Sequence, residues 1–116
     1  MIAIFQPHRY SRLKDLFDEF CQCFNNADYV FITDVYAAGE SEIENFNKET
    51  LVAGISDFGH NNVSIINNEN EICDKIHAVA KPNDVVIFLG AGSITKWSDT
   101  IVYQLNNSGL KHEKIF

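Results

Sequence analysis

The amino-acid sequence predicts an α/β domain with a mainly parallel sheet and helices on both faces of that sheet. Four short apolar runs without a helical period alternate with amphipathic segments, as they do in βα units. The runs are apolar at nearly every position, which is typical of strands buried on both sides. With 116 residues and a 46% hydrophobic composition, the chain has the size and core content of one folded domain.

The four apolar runs are the predicted strands. Each is rich in β-branched or aromatic residues and is flanked by Pro, Gly, Asn or Asp. They cover Met1 to Phe5, Tyr29 to Thr33, Val63 to Ile66 and Val85 to Leu89. We expect Ile115 and Phe116 to begin a partial last strand, and the pattern leaves the strand order open.

The amphipathic segments are the predicted helices. Ser11 is the expected N-cap of the first helix, whose apolar face repeats at helical spacing and consists of Leu13, Leu16, Phe17, Phe20, Cys21 and Phe24. A weaker helix is predicted over Asn47 to Ile55, and a third follows the capping pair Asn68 and Glu71. The turn from Gly90 to Ser93 leads into a last helix with an apolar face of Ile94, Trp97, Ile101, Val102 and Leu105.

Composition and charge exclude several classes of protein. The net charge of −7 disfavours general attraction to nucleic acid or anionic lipid, so we expect neither a nucleic-acid nor a membrane partner. No apolar stretch reaches the length of a membrane-spanning helix, and no signal peptide is visible, which predicts a soluble cytosolic protein. Cys21 and Cys23 point in different directions on a helix, so we predict no metal site there.

Three unusual loops follow predicted strands. They cover Gln6 to Arg12, Asp34 to Glu40, and Gly90 to Ser93. If the strands are parallel, the loops leave the same edge of the sheet, which is the edge where ligands bind in open α/β folds. We therefore expect the three loops to converge on one site.

The only two arginines of the chain, Arg9 and Arg12, lie in the first of these loops beside His8. Cations are disfavoured at the start of a helix, whereas the planar guanidinium binds carboxylate or phosphate through two hydrogen bonds. This pattern favours an anion clamp with His8 as a further donor. The alternative is that both arginines form ion pairs with carboxylates of the adjacent helix, namely Asp15, Asp18 or Glu19.

The other two loops have both a functional and a structural interpretation. Asp34 and Glu40, with Tyr36 between them, either receive an ammonium group or cap Ser41 and its neighbours. The last loop either binds an anion through its backbone or is a tight structural turn, and it consists of Gly90, Ala91, Gly92 and Ser93.

Four strings of residues closely resemble the C-terminal domain of the UDP-N-acetylmuramate–L-alanine ligases, which are members of the Mur ligase family. The strings keep their order over nearly the whole chain and run from Phe5 to Arg12, Asp15 to Phe20, Asp34 to Glu40 and Gly90 to Ser93. The resemblance implies a Rossmann-like, three-layer third domain that closes over a UDP-sugar domain and a central ATPase domain. It also implies a bacterial, cytoplasmic enzyme of peptidoglycan synthesis.

The reaction implied by the resemblance is an ATP-dependent ligation. ATP phosphorylates the carboxylate of UDP-N-acetylmuramate, and the amine of L-alanine attacks the acyl phosphate with the help of Mg²⁺. The partners are thus L-alanine, ATP, UDP-N-acetylmuramate and, within the same polypeptide, the central domain. ATP and Mg²⁺ are expected to bind mainly to the central domain, and no cofactor is expected on these 116 residues alone.

The resemblance also implies roles for individual residues. The catalytic group is His8, Arg9 and Arg12, which face the phosphates and the incoming L-alanine. The substrate-binding group is Arg9, Arg12, Asp34, Tyr36, Glu40, Gly90, Ala91, Gly92 and Ser93. The phosphate-binding loop and the UDP-sugar domain of these ligases have no counterpart in the sequence, so we expect the chain to be inactive by itself. The alternative is a free-standing α/β module that binds an anion or has a regulatory role.

Overall fold

Five parallel strands form one sheet in the computed structural model, which describes residues 1–90, 94, 96, 97 and 99 and the backbone of 111–115. The strands are β1 (Ile2–Phe5), β2 (Tyr29–Ile32), β3 (Val63–Ile65), β4 (Val85–Leu89) and β5 (Lys111–Ile115). Their order in the sheet is β3-β2-β1-β4-β5, and every neighbouring pair is parallel. The predicted α/β fold with a parallel sheet is therefore confirmed.

Four complete helices lie in the described part of the chain. They are α1 (Tyr10–Asp15), α2 (Phe17–Gln22), α3 (Lys48–Asp57) and α4 (Asn70–Val79). Ile94, Lys96, Trp97 and Asp99 are also helical, whereas Ile101, Val102 and Leu105 of the predicted last helix, and Phe116, lie outside the described residues. None of the described helices has the length and apolar character needed to cross a membrane.

Two hydrophobic cores cover the two faces of the sheet. Alternate residues of β1 point to opposite faces, so that Ile2 and Ile4 belong to one core and Ala3 and Phe5 to the other. The first core also contains Ile72 and Ile76 of α4 and the helical Ile94. Its remaining members are Phe31, Ile66, Val86 and Phe88. The second core contains residues of the first three helices, namely Leu13, Cys21, Leu51 and Ile55. Its remaining members are Phe24, Ala27, Val30 and Ile32. The domain thus has three layers, as predicted.

The first predicted helix is divided into two short helices. Leu16, with φ −114° and ψ 19°, separates α1 from α2 and is 41% exposed, so its predicted place on the buried face is wrong. The predicted N-cap is also wrong, because α1 begins after Arg9 and Ser11 lies inside the helix. Ser11 instead donates both its backbone N–H and its hydroxyl to the distant side chain of Glu40. A long-range contact has therefore replaced the local cap.

The caps of α3 and α4 follow the sequence closely. The Asn47 side chain accepts a hydrogen bond from the Thr50 N–H at 2.8 Å and so caps α3. At the start of α4, Asn68 Oδ1 accepts from the Glu71 N–H at 3.2 Å, as the predicted capping pair requires. The Glu71 carboxylate reaches back to the Asn67 N–H at 3.1 Å, one residue earlier than in a standard capping box.

Helices α2 and α3 approach each other closely at Gly54. A Cβ at this position would overlap Cys21 Sγ and lie 3.1 Å from Phe17 Cζ. Cys21 is buried, and burial raises the pKa of its thiol to about 11, whereas Cys23, just after the end of α2, is exposed. The two thiols lie in different environments, and Cys21 contributes to packing.

We expect Gly54→Ala to lower the free energy of unfolding by about 1 to 2 kcal/mol, because overpacking costs more than the roughly 1 kcal/mol that alanine contributes inside a helix. Chemical denaturation would measure the change. The double variant Gly54→Ala with Cys21→Ala removes the sulfur from the contact and should lose less stability than the sum of the two single variants. A Gly54→Ala protein more stable than the wild type would contradict this account of the helix contact.

Candidate functional site

The loops after β1 and β2 are joined by their backbones beyond the ends of the strands. The Tyr36 N–H donates to the Pro7 carbonyl oxygen at 2.8 Å, and the Arg9 N–H donates to the Tyr36 carbonyl oxygen at 2.7 Å. These bonds make an isolated parallel bridge between His8 and Tyr36. Two of the three loops expected to converge are therefore in direct contact at the carboxyl edge of the sheet.

Side chains continue this contact between His8 and Tyr36. Their rings are stacked, with centroids 5.6 Å apart and an angle of 14° between the planes. His8 is half-buried, and Tyr36 is 38% exposed. The stack holds the imidazole of His8 against a partly exposed ring at the rim of the site.

Arg9 and Arg12 present their guanidinium groups to solvent. Both side chains are exposed, and within the described part of the chain neither forms an ion pair. The alternative interpretation, pairing with carboxylates of the adjacent helix, is therefore not seen among the described residues. Both arginines line an open cavity of about 360 Å³ together with Ser11, Asp15 and Leu16.

Arg9 also has an unusual backbone. Its φ is 71°, in the left-handed region that residues with a side chain adopt at a cost of about 1 to 3 kcal/mol. The hydrogen bond from its N–H to Tyr36 holds this conformation. Strain of this kind is concentrated at functional sites, where the surrounding structure maintains it.

Glu40 closes the loop after β2 onto helix α1. Its two carboxylate oxygens accept from the Ser11 N–H at 3.1 Å and from the Ser11 hydroxyl at 2.5 Å. The pKa of Glu40 is lowered, because hydrogen bonds stabilise its ionised carboxylate. The Ser11 hydroxyl contributes most, the Ser11 N–H contributes next, and the positive charge of Arg9 contributes less. The structure thus places Glu40 on Ser11 and not on its neighbour Ser41.

Asp34, at the other end of this loop, is paired with a lysine that the sequence analysis did not select. Lys48 Nζ lies 2.7 Å from Asp34 Oδ1 and donates to Asn67 Oδ1 at 3.0 Å. The lysine is buried, whereas Asp34 is exposed. Lys48 is a cation in the first turn of α3, where the helix dipole disfavours positive charge. A cation at the start of a helix was the signal that selected Arg9 and Arg12, and the same signal could have selected Lys48.

The end of β4 is attached to the first loop through Gln6. The Gln6 N–H donates to the Leu89 carbonyl oxygen at 2.9 Å, and Gln6 Oε1 accepts from the Ile94 N–H at 3.0 Å. Gly90 has φ 139°, and a Cβ there would lie 2.6 Å from the Gln6 carbonyl oxygen, so the turn requires glycine. The remaining predicted residues of this turn, Ala91, Gly92 and Ser93, lie outside the described residues.

A second cavity, of about 410 Å³, lies at the opposite edge of the sheet. It is lined in part by Asp28, Asn62, Lys81 and Asp84, which stand before the strands. Ligands of open parallel sheets bind at the carboxyl edge, where the loops after the strands can vary. The edge that holds His8 and the two arginines is therefore the stronger candidate site.

Comparison with known proteins shows similarity to one family of enzymes. The sequence model described as Mur ligase, glutamate ligase domain, matches residues 1–92. The UDP-N-acetylmuramate–L-alanine ligases of Gluconobacter oxydans and Rhodospirillum rubrum are each 50% identical over 105 residues, which is 90% of this chain and 22% of each ligase. The ligase with that name from Granulibacter bethesdensis is 46% identical over 115 residues, covering 99% of this chain and 24% of its own length. The chain therefore spans about a quarter of the length of these relatives.

The contact between Glu40 and Ser11 makes stability depend on pH. The folded pKa of Glu40 is lowered, so the stabilisation is present above its unfolded pKa, about 4.3, and is lost as the pH falls through the folded pKa. Glu40→Gln retains an acceptor without the charge. We expect the wild type to have the higher Tm at neutral pH and the difference to shrink as the pH falls below about 4.

The control for this measurement is Glu44→Gln, which changes an exposed glutamate a few residues along the same connection. It should leave the pH dependence of Tm unchanged. A difference between wild type and Glu40→Gln that stays constant between neutral and acidic pH would show that the charge of Glu40 is not stabilised by Ser11.

Proposed function

The chain belongs to the Mur ligase family, and we propose that its 116 residues form the C-terminal domain of a larger ligase that joins L-alanine to UDP-N-acetylmuramate with hydrolysis of ATP to ADP. The observation that supports this most directly is the pair of guanidiniums at the carboxyl edge that form no ion pair with any described residue, in a chain about 50% identical to ligases named for this reaction. The remaining domains, for the UDP-sugar and for ATP, belong to the rest of the enzyme.

The two arginines bind the amino-acid substrate in this proposal. The guanidiniums of Arg9 and Arg12 hold the carboxylate of L-alanine, since the planar fork matches a carboxylate through two hydrogen bonds. They also offset the negative charge that develops when the amine attacks the acyl phosphate, because preorganised cations stabilise such charge in a closed site. His8, held by the ring of Tyr36, is a further donor to a phosphate oxygen.

The loop from Asp34 to Glu40 recognises the incoming amino acid. Since Asp34 is bound to Lys48 and Glu40 to Ser11, we propose that the two carboxylates act by fixing the shape of the loop. Tyr36, which is partly exposed, is then its residue nearest to the substrate. The turn of Gly90, Ala91, Gly92 and Ser93 contributes backbone donors to the amino-acid carboxylate, a role proposed from the resemblance alone.

ATP and Mg²⁺ bind mainly to the central domain of the proposed enzyme. When bound there, Mg²⁺ would neutralise negative charge at the phosphates. Among the described residues, no three His, Cys, Asp or Glu side chains form a group that could hold a metal ion. The groups that suit a nucleotide phosphate on this chain are the guanidiniums of Arg9 and Arg12. The arginines therefore complete the phosphate environment when the third domain closes onto the central domain.

The enzyme works in the bacterial cytoplasm in this proposal, and this domain contacts the central domain when it closes. The test is a ligase assay on the full-length protein that carries these 116 residues. ADP release should require both L-alanine and UDP-N-acetylmuramate, and the 116 residues alone should give no turnover. A full-length protein that binds anions at this edge but releases no ADP would favour an anion-binding or regulatory module without ligase activity instead.

Arg12→Ala in the full-length enzyme should raise the KM for L-alanine or lower kcat, with a loss of about 10- to 1,000-fold in kcat/KM for L-alanine, because a charged contact in a closed site is lost. Steady-state kinetics with varied L-alanine would measure it. Lys14→Ala, which removes an exposed cation of the same helix outside the cavity, is the matched control and should stay near the wild type. Normal kinetics for Arg12→Ala would leave Arg12 as a surface residue without a role in the reaction.

A further inference from the structure

The cavity beside the arginines contains more than a site for an anion. It is lined by two arginines, Arg9 and Arg12, together with Ser11, the acidic Asp15 and the aliphatic Leu16. A volume of about 360 Å³ is at the lower end of the range for small-molecule sites. The lining thus offers positive charge, negative charge and apolar surface to one small ligand.

Asp15 has no partner of opposite charge within the described residues. Arg12 and Asp15 are three residues apart, a spacing at which opposite charges on a helix often pair. They form no ion pair here, and no ion pair of Asp15 with another described residue is present. Within the described part of the chain, Arg12 and Asp15 therefore line the cavity without a partner of opposite charge.

Leu16 reaches the cavity because the helix is interrupted at this residue. Helical spacing predicts a buried side chain, yet the break between α1 and α2 leaves Leu16 41% exposed beside the charged groups. An exposed leucine at a cavity wall gives an apolar contact to any group that displaces water from it. The break in the helix thus supplies the apolar part of the site.

The backbone donors at the start of α1 do not complete an anion site by themselves. The Ser11 N–H and hydroxyl are already bound to Glu40. A ligand carboxylate in this cavity must therefore be held by Arg9 and Arg12, which leaves Asp15 for a positive group of the same ligand.

We infer that this cavity is a site for a small zwitterionic α-amino acid, in which Asp15 binds the ammonium group and Leu16 contacts the side chain, while Arg9 and Arg12 hold the carboxylate. The inference rests on the proposed function and extends it, since it assigns selection of the substrate amine and of its side-chain size to two residues outside the arginine pair. Asp15 and Leu16 are then specificity-determining residues.

The test uses Asp15→Asn in the full-length enzyme, with propionate as an inhibitor that lacks the amine of alanine. We expect the KM for L-alanine to rise about 10- to 100-fold, as for loss of a charged hydrogen bond, while the KM for ATP and the inhibition constant of propionate change less than about twofold. A merely structural role of Asp15 would weaken alanine and propionate alike. Asp18→Asn, an exposed carboxylate outside the cavity, is the matched control and should behave as the wild type.

Leu16→Ala tests the apolar wall. It should raise the kcat/KM for L-2-aminobutyrate relative to L-alanine several-fold, because the shorter side chain leaves room for the extra methylene of this substrate. Phe58→Ala removes another exposed apolar side chain, outside the cavity, and should leave this ratio unchanged. An active enzyme whose Asp15→Asn variant keeps its KM for L-alanine, or shifts alanine and propionate together, would overturn the inference alone. A wild-type protein without alanine ligase activity would instead overturn the proposed function.

Discussion

The pairing of β1 with β2 is the constraint on which the site depends. Within the sheet Phe5 pairs with Ile32, and the pairing continues as the Thr33 N–H donates to the Phe5 carbonyl oxygen at 3.0 Å. The next backbone contact, between Pro7 and Tyr36, carries the same register out of the sheet into the loops. Because a shift by one residue would turn every side chain to the other face, the buried strands fix where the loop residues point. A rigid core thus positions exposed charged groups.

Internal charge pairing explains which groups remain available to a ligand. Lys48 neutralises Asp34, and Ser11 stabilises the ionised Glu40, so the loop after β2 satisfies its own carboxylates. The contact between Ser11 and Glu40 joins the segments after β1 and β2, and Lys48, which also donates to Asn67, joins the segments after β2 and β3, so these contacts also hold the edge in shape. The guanidiniums are left without internal partners among the described residues, although the chain as a whole is acidic. Local pairing, and not net charge, determines the sign of the site.

The sequence predicts the fold well because strand burial and helix amphipathicity leave local patterns. The apolar run from Val85 to Leu89 is observed as β4 without change, and the convergence of the first two loops follows from parallel strands. The departures lie where a distant residue decides the local structure. Ser11 is not a cap because Glu40, far along the chain, takes its donors. Leu16 is exposed because the helix breaks there, and the helical spacing of the apolar residues gives no sign of this break. Arg9 keeps its left-handed backbone through Tyr36, a contact that exists only in the folded sheet.

The central position of β1 also sets the order in which the domain can fold. Ile2 pairs with Tyr29 on one side and with Val86 on the other, so β1 must wait until β4 has been synthesised before both of its edges are covered. Such non-local pairing slows folding, since the loop between the partners has to close before any contact is gained. Gln6 accepts its hydrogen bond from the N–H of Ile94, which is synthesised later still. The edge that we propose binds substrate is therefore completed only after β4 has joined the sheet, and a chain that lacks this part presents its arginines without the full geometry of the edge.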